Sequence, residues 1–520
     1  MHGIQVFTLS ALTRCKWLLI AMVLWLTLGS VVCLAEESST SSKHPDSSRP
    51  RVIVTTDGEV DDRCSMVRFL LTSNEFDVEG LVNSSSQFHW QGGTGWSAFH
   101  RPEWIKEYIG LYRQVYPQLR QHDANYPAPD ALLRCWKIGN IGPDGEYEQR
   151  TEGAEWIANV LLDDSDDRPI WLQAWGGTNT IARALRIVEE EHPERMREVA
   201  AKTRLFLIWE QDNTYQDYIR PHWEKYQMIT IISDQFDCMA YIWPKVLPAE
   251  TQRYFDADWM GEHILQQHGP LCAAYEHENG AFRSEGDTPA FLHAIPTGLR
   301  STTSPDWGGW GGRFELVRNQ VWMDPPPRDD WLHPTGRWGY KNSWSKRLEN
   351  ASSPEDVQIR TEYFRPMWRW LPQVQNDFAA RADWCVNGYD SANHPPQVVL
   401  KNGSLNFSAT PGAVLSLDAS SSRDPDGDGL SFHWWHYWQA GQFAGEPLPE
   451  SHATTCQVTI PKTAKPGDRF HMICEVTDSG TPPLTRYQRV VIRVPSDNDS
   501  SPNRTSAESP AEAGSDDEGE

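Results

Sequence analysis

Basic residues are scarce in this 520-residue chain: Lys and Arg number 47 against 71 Asp and Glu, a formal net charge of -24. Phosphate backbones are gripped by clustered cations, so a nucleic acid polymer is excluded as the natural partner. Cysteine is scarce as well. Of nine, Cys15 and Cys33 fall in the first 35 residues, and none stands in a CxxC spacing. That argues against a zinc site and against a disulfide-built scaffold. Cys456 with Cys474, on two expected strands of one small domain, is the one pairing expected. No repeat of fixed period is visible, and past residue 35 no apolar run is long enough to cross a bilayer. No stable membrane span is therefore expected in the mature chain.

The N-terminus carries a signal. Arg14 and Lys16 precede an apolar run over residues 17–34, followed by Ala35 and two glutamates. Basic, apolar and small residues in that order read as a signal peptide, residues 1–35, cut after Ala35; an uncleaved anchor is the alternative. Val32 is too bulky to favour lipid attachment at Cys33. The mature protein is expected to be secreted or periplasmic.

At this length one core does not suffice. Residues 36–49 are Ser-rich and read as a polar linker. Order begins at Arg51-Val-Ile-Val-Thr55, a short apolar run typical of a buried strand. Further strands are expected at residues 76–83, 169–174, 204–209 and 228–232, and helices near 61–71, 155–162 and 178–188. Strands alternating with helices imply a mostly parallel sheet with helices on both faces, an α/β domain over residues 50–392. Ligands bind such sheets beyond the carboxyl ends of the strands, which puts Asp57, Ser84 to Gln87, Gly176 to Asn179 and Glu210 to Asn213 along one crevice. Within that domain, residues 306–390 are rich in Trp, Gly and Pro and show no regular period. Short alternating segments at 414–417, 431–435 and 489–494 then predict an all-β, immunoglobulin-like sandwich over residues 393–495. Residues 496–520 hold one basic residue, Arg504, in a run of acids, and read as a disordered tail.

The sharpest chemical signal is Val54-Thr-Thr-Asp57-Gly-Glu-Val-Asp61-Asp62. Three Asp carboxylates gathered near one strand end repel each other by several kcal/mol unless a cation joins them. Oxygen donors of this kind suit Ca²⁺ or Mg²⁺. Helix capping would explain one aspartate, but three with Glu59 beside them exceed what a cap needs.

The segment resembles the D-x-D-x-G-x-D-D fingerprint of nucleoside hydrolases, with Thr55, Asp57, Asp61 and Asp62 at matching places. Gly176-Gly-Thr-Asn179-Thr-Ile-Ala-Arg-Ala-Leu185 is similar to the family's G-P-L-T-N-I-A-x-A-L stretch, Ser84-Ser-Ser-Gln87 to its Gly-Asn pair, and Glu210-Gln-Asp-Asn213 to its E-F-N segment. Gly286-Asp287-Thr-Pro-Ala-Phe-Leu292 is similar to its late His-Asp-Pro segment. A secreted bacterial nucleoside-hydrolase-like family, whose members are often labelled cellulose-binding, shares the C-terminal sandwich and a stretch like Ser304-Pro-Asp-Trp-Gly-Gly-Trp-Gly-Gly312. The resemblance implies a nucleoside-hydrolase-like fold and a Ca²⁺ ion held by Asp57, Asp62, Asp287 and the Asn179 carbonyl. It implies that Asp57 is the catalytic base on water, and that Asp61, Gln87, Glu210 and Asn213 bind a small glycoside or nucleoside. Three positions depart from the pattern: Thr55 replaces the first Asp, Glu59 the Gly, and Gly286 the His that protonates the departing base in some members. His89, His100 or His293 could take over that role, though a lone histidine is more often structural.

Two features remain. Tryptophan is abundant, 25 in all, and Trp307, Trp310, Trp331, Trp338 and Trp344 cluster in the Gly-rich region. They offer either sugar-stacking faces or core packing. Asp424-Pro-Asp426-Gly-Asp428-Gly429 imitates an EF-hand start, but Trp435 occupies its twelfth position and strand-patterned sequence follows. It resembles the turn of PKD-like and cadherin-like sandwiches and leaves room for weak Ca²⁺ binding. The first functional reading is a metal-dependent hydrolase of N-glycosidic or related glycosyl bonds. The alternative is a non-catalytic polysaccharide-binding protein on a degenerate hydrolase scaffold. A purely structural surface protein would leave the aspartates unexplained.

Overall fold

The computed structural model describes residues 49–95, 101–143, 145–401 and 403–496. The expected signal peptide, nearly all of the expected linker, His100 and all but the first residue of the expected tail lie outside the described residues.

An eight-stranded sheet forms the centre: β1 (Arg51–Thr56), β2 (Asp77–Asn83), β3 (Trp136–Ile138), β4 (Ile170–Ala174), β5 (Thr203–Ile208), β6 (Ile229–Ser233), β7 (Glu315–Arg318) and β8 (Val321–Met323). Their order is β3-β2-β1-β4-β5-β6-β8-β7. Every neighbouring pair is parallel except β7 with β8. Parallel strands covered on both faces are apolar throughout rather than alternating, and β1 and β4 are buried along their whole length.

The principal helices start where local chemistry permits. In α1 (Val60–Leu71) the acids Asp61 and Asp62 occupy the positive end of the helix dipole. Helix α2 spans Trp104–His122. In α3 (Glu152–Leu162) the Thr151 hydroxyl accepts the Ala154 N–H. Helix α4 (Asn179–Glu191) buries Ile181, Ala184, Leu185 and Val188, a stripe at helical spacing. A short α5 (Thr288–Leu292) follows the late acidic segment.

The expected strands and helices lie within a few residues of these elements. The Trp-rich stretch, which showed no pattern, is ordered: it supplies β7, β8, α6 (Pro354–Trp368) and α7 (Leu371–Trp384). Among the described residues no helix is long and apolar enough to cross a membrane.

The C-terminal part has two sheets. Strands β9 (Asn406–Ser408), β11 (Ser431–His436), β13 (Arg469–Thr477) and β14 (Thr485–Arg493) make one, in the order β9-β14-β13-β11. Strands β10 (Val414–Asp418) and β12 (Thr455–Thr459) make the other. Leu417, Trp434, Val458, Phe470, Met472, Val476 and Ile492 fill a common core. The opposite face of the larger sheet is buried too: Trp435, Tyr437, Ile473 and Tyr487 join the core of the α/β part. There Trp370 packs at 5.8 Å from Trp435 and 5.4 Å from Tyr487, ring to ring, and Tyr487 N–H donates to the Thr297 carbonyl at 2.9 Å.

The expected Cys456–Cys474 bridge is not made. The two residues sit in different sheets, β12 and β13, and both are free thiols buried in the sandwich core, where cysteine packs as a small hydrophobe.

Candidate functional site

The strand order reverses direction between β1 and β4, so a crevice opens at their carboxyl ends. The chain delivers Asp57 after β1, Ser84 to Ser86 after β2, Gly176 and Gly177 after β4, and Glu210 to Asn213 after β5. These loops approach more closely than side chains would allow. A Cβ on Gly177 would lie 2.2 Å from Asp212 Oδ2 and 2.4 Å from the Ser85 carbonyl; one on Gly176 would lie 2.9 Å from the Asp57 Cβ.

Five carboxyl groups converge there. Asp61, Asp62 and Asp287 each offer an oxygen within 4.8 Å of the others, and Asp57 and Glu59 act on them electrostatically. Asp62 does double duty: Oδ2 accepts the Glu59 N–H at 3.1 Å, a helix-capping bond, and Oδ1 accepts the Thr56 hydroxyl. The Asp287 side chain makes no capping bond although the residue stands at the start of α5, and an Oδ2 of both Asp57 and Asp287 is buried with no hydrogen-bond partner. Burial, followed by the charges of Asp62 and Glu59, holds the Asp57 carboxyl well above the usual range. Burial and the neighbouring acids do the same to Asp61 and Asp287. Glu59 is pushed up to about 7 by burial and Asp62, against the Tyr241 hydroxyl bonded to it. Bare carboxylate oxygens crowded in a buried site are the donor set of a hard divalent cation. Asp57, Asp61, Asp62 and Asp287 could hold one.

The other expected residues lie on the neighbouring loops. The Asn179 side-chain amide donates to Ser85 Oγ and to the Asn140 and Glu146 carbonyls, and its N–H donates to Asp212 Oδ2 at 3.0 Å. These bonds, made by its side chain and N–H and not by the carbonyl expected to face the cation, tie Asn179 to Asp212 and to the second loop. Gln87 N–H donates to the Gln211 carbonyl at 2.8 Å, tying the second loop to the fifth. Glu210 is buried, with Oε1 accepting the Trp338 N–H and Oε2 the Gln216 amide. Asn213 Oδ1 accepts from Arg337 at 2.8 Å.

Burial pushes the Glu210 carboxyl up to about 7. A folded-state pKa raised above the ordinary value near 4.5 means stability fully present below about 4.5 and lost as pH rises through about 7. Glu210→Gln should therefore flatten the fall in unfolding free energy between pH 5 and pH 8 by up to about 3 kcal/mol, read from urea melts at both pH values.

Of the candidate histidines, His293 is fully buried behind the sheet against Trp171, Phe206 and Phe314. Burial lowers it to about 3, and it does not face the crevice. His89 does: its Nδ1 is 3.4 Å from Glu59 Oε2 and 3.9 Å from Asp57 Oδ2. The tryptophan cluster is core. Trp307, Trp310, Trp338 and Trp344 are buried, with Trp338 and Trp344 packed at 5.0 Å and Trp331 against Trp344 at 6.3 Å.

Two residues central to the site carried no motif. Glu285, just before Gly286 and Asp287, is buried and paired with Arg68 of α1 at 2.5 Å. Arg68 also donates to Gln375 and to the Val374 carbonyl on α7. Glu285 further accepts the Tyr275 and Thr288 hydroxyls. The pairing crosses more than 200 residues, so no local spacing could reveal it.

A family described as cellulose-binding Sde182, nucleoside hydrolase-like domain, matches residues 51–314. The chain belongs to this family. The family's companion, the C-terminal domain of cellulose-binding protein Sde0182, matches residues 414–494. Among solved structures, the chain is similar to a nucleoside hydrolase-related hypothetical protein from Saccharophagus degradans that is associated with carbohydrate metabolism. The two share 29% identity at a TM-score of 0.67, over 86% of this chain and 100% of that one. Likeness to an inosine-guanosine nucleoside hydrolase is slight, at 11% identity and a TM-score of 0.25 over 61% of this chain and 98% of that one. No curated protein matches the chain.

Within this family setting, Gly286 is a closed position rather than a vacant one. A Cβ there would lie 2.7 Å from Asp61 Oδ2 and 3.3 Å from the Phe236 ring. A histidine at 286 has no room unless Asp61 moves.

Proposed function

We propose that the protein is an extracytoplasmic, Ca²⁺-dependent hydrolase of N-glycosidic or related glycosyl bonds. The observation that carries this reading is the set of buried carboxylates in which Asp57 and Asp287 keep unpartnered oxygens. A bound cation would offset their repulsion, lower the pKa of water and grip sugar hydroxyls. The remaining chemistry falls to the chain itself. Asp57 would take a proton from attacking water. Asp61, Gln87, Glu210 and Asn213 are the candidates to meet sugar hydroxyls, Glu210 and Asn213 only by giving up their bonds to Trp338, Gln216 and Arg337. His89, beside Asp57 and Glu59, is the group able to hand a proton to a departing base or alcohol, in place of the family histidine.

The test is a screen of the mature chain with Ca²⁺ against nucleosides and aryl glycosides. For any substrate turned over, Asp57→Ala should abolish hydrolysis. His89→Gln should lower kcat by about 100-fold or more for poor leaving groups and far less for activated aryl ones. Equal loss on both kinds of substrate would remove His89 from the acid role, and unchanged turnover in Asp57→Ala would sink the hydrolase reading.

A second reading, polysaccharide binding without turnover, is favoured by the closed position at Gly286 and by the family's description as cellulose-binding. It is also favoured by two cavities of about 260 and 240 Å³ that share Arg365 and Arg369 near the sandwich. Trp438, 48% exposed, stands on the first of them and Trp368 on the second. Indole faces there could stack on a glycan. Retention on microcrystalline cellulose, weakened by Trp438→Ala, would support this reading; passage of the intact chain unretarded would overturn it.

A further inference from the structure

The loop between β10 and β11 brings Asp424, Asp426 and Asp428 together, each offering an oxygen within 4.8 Å of the others. An acidic turn alone says little, since exposed acids are common. The surroundings say more. Asp424 Oδ1 accepts the N–H groups of Asp426 and Asp428, at 2.9 and 3.1 Å, while its Oδ2 is buried without a partner. Asp478, in the loop between β13 and β14, repeats the pattern. Its Oδ1 accepts three donors, from Asn393, Gly480 and Leu484, and its Oδ2 is buried and unpartnered. Asn393 donates through its amide nitrogen to Asp478 and to the Pro482 carbonyl, leaving Oδ1 bare. Asp478 and Asn393 are only 5% and 7% exposed. Asp424 is near enough to Asp478 for its charge to be felt there, and Ser479 bridges to Asp428 at 3.4 Å. Asp424, Asp478 and Asn393 are thus each fixed by one atom and left open by another, which is how a preorganised ligand differs from an ordinary turn residue.

We propose that Asp424, Asp428, Asp478 and Asn393 form a second calcium site, at the joint between the α/β part and the sandwich. It is independent of the cluster after β1 and does not rest on the hydrolase reading. Its position suits a structural role. Asn393 and His394 enter the sandwich directly from the α/β part. His394 bonds Asp426 through Nδ1 at 2.9 Å and His122 of α2 through Nε2 at 2.9 Å. A cation that fixes the 424–428 loop therefore also fixes the contact from α2 through His394 to the sandwich.

The test uses the full mature chain, stripped of metal and titrated with Ca²⁺ by calorimetry, with Tb³⁺ luminescence excited through tryptophan as a second readout. Asp424→Asn with Asp428→Asn keeps the acceptors of the turn and should leave the circular dichroism spectrum unchanged. We expect that variant to bind one Ca²⁺ fewer than the wild type, to lose the Tb³⁺ signal sensitised by Trp384, whose Nε1 donates to the Asn393 carbonyl at 2.9 Å, and to be cut faster by trypsin after Lys401 in the presence of Ca²⁺. The same loss should be seen with Asp62→Asn already in place, so failure of the first cluster to bind Ca²⁺ leaves this result readable. Unchanged stoichiometry and unchanged Tb³⁺ emission in the Asp424, Asp428 variant would overturn the proposal.

Discussion

Titrating Ca²⁺ into metal-stripped protein should reveal a site whose affinity falls by about 100-fold or more in Asp62→Asn or Asp287→Asn, each made on the Asp424→Asn, Asp428→Asn background. The cause is electrostatic. Asp57 and Asp287 are buried and Asp61 is half-buried beside them, and without a cation each is held well above the usual carboxylate range by burial and by charges that include those of Asp62 and Glu59. Removing one charge lessens that repulsion, so metal-free Asp287→Asn should unfold at a higher temperature than metal-free wild type at pH 8. Adding Ca²⁺ should reverse the order. At a hundredfold excess over Kd it contributes about 2.7 kcal/mol to the wild type and little to the variant. This crossing of melting temperatures separates a metal site from a mere acidic cap, because a cap would lose stability in the variant under both conditions. A wild type indifferent to Ca²⁺ would make the cluster a relic and bring the polysaccharide-binding reading forward.

The aspartates after β1 were legible because a strand end and a helix start lie next to each other in sequence, so Asp57, Asp61 and Asp62 share a site by local geometry alone. The parallel sheet was legible for a similar reason: strands buried on both faces are written as unbroken apolar runs such as Arg51-Val-Ile-Val-Thr55. What was hidden depends on distant partners. The stretch over residues 306–390 has no period because its tryptophans pack against one another and against the C-terminal sandwich rather than along one helical stripe. Glu210 and Asn213, expected to face a substrate, have side chains already engaged by Trp338 and Arg337 of that stretch. His293 looked equivalent to His89 in sequence, yet one faces the core and the other the carboxylates. The outer face of the larger C-terminal sheet reads as ordinary alternation, and only its docking onto Trp310 and Trp370 shows why both faces are apolar.

The second large effect is expected at a residue with no motif. Arg68→Met leaves the Glu285 carboxylate buried, with the Tyr275 and Thr288 hydroxyls as its remaining side-chain donors. Breaking one side of a buried pair costs about 3–5 kcal/mol, because the abandoned charge cannot reach water. Arg68 also loses its bonds to Gln375 and the Val374 carbonyl and its stacking on Phe378, 3.9 Å from the ring centroid, so α7 loosens from α1. Replacing both partners, Arg68→Met with Glu285→Gln, removes the stranded charge and should restore most of the lost stability in denaturant melts. Calcium affinity then distinguishes packing from positioning. Glu285 lies two residues before Asp287, held from one side by Arg68 and from another by its own N–H to the Met239 carbonyl at 2.7 Å. If that clamp aims the Asp287 carboxylate, the double variant should recover its fold while Ca²⁺ binding stays about 10-fold or more below wild type. Full recovery of both would show that the pair is cement between helices and that Asp287 finds its place without it.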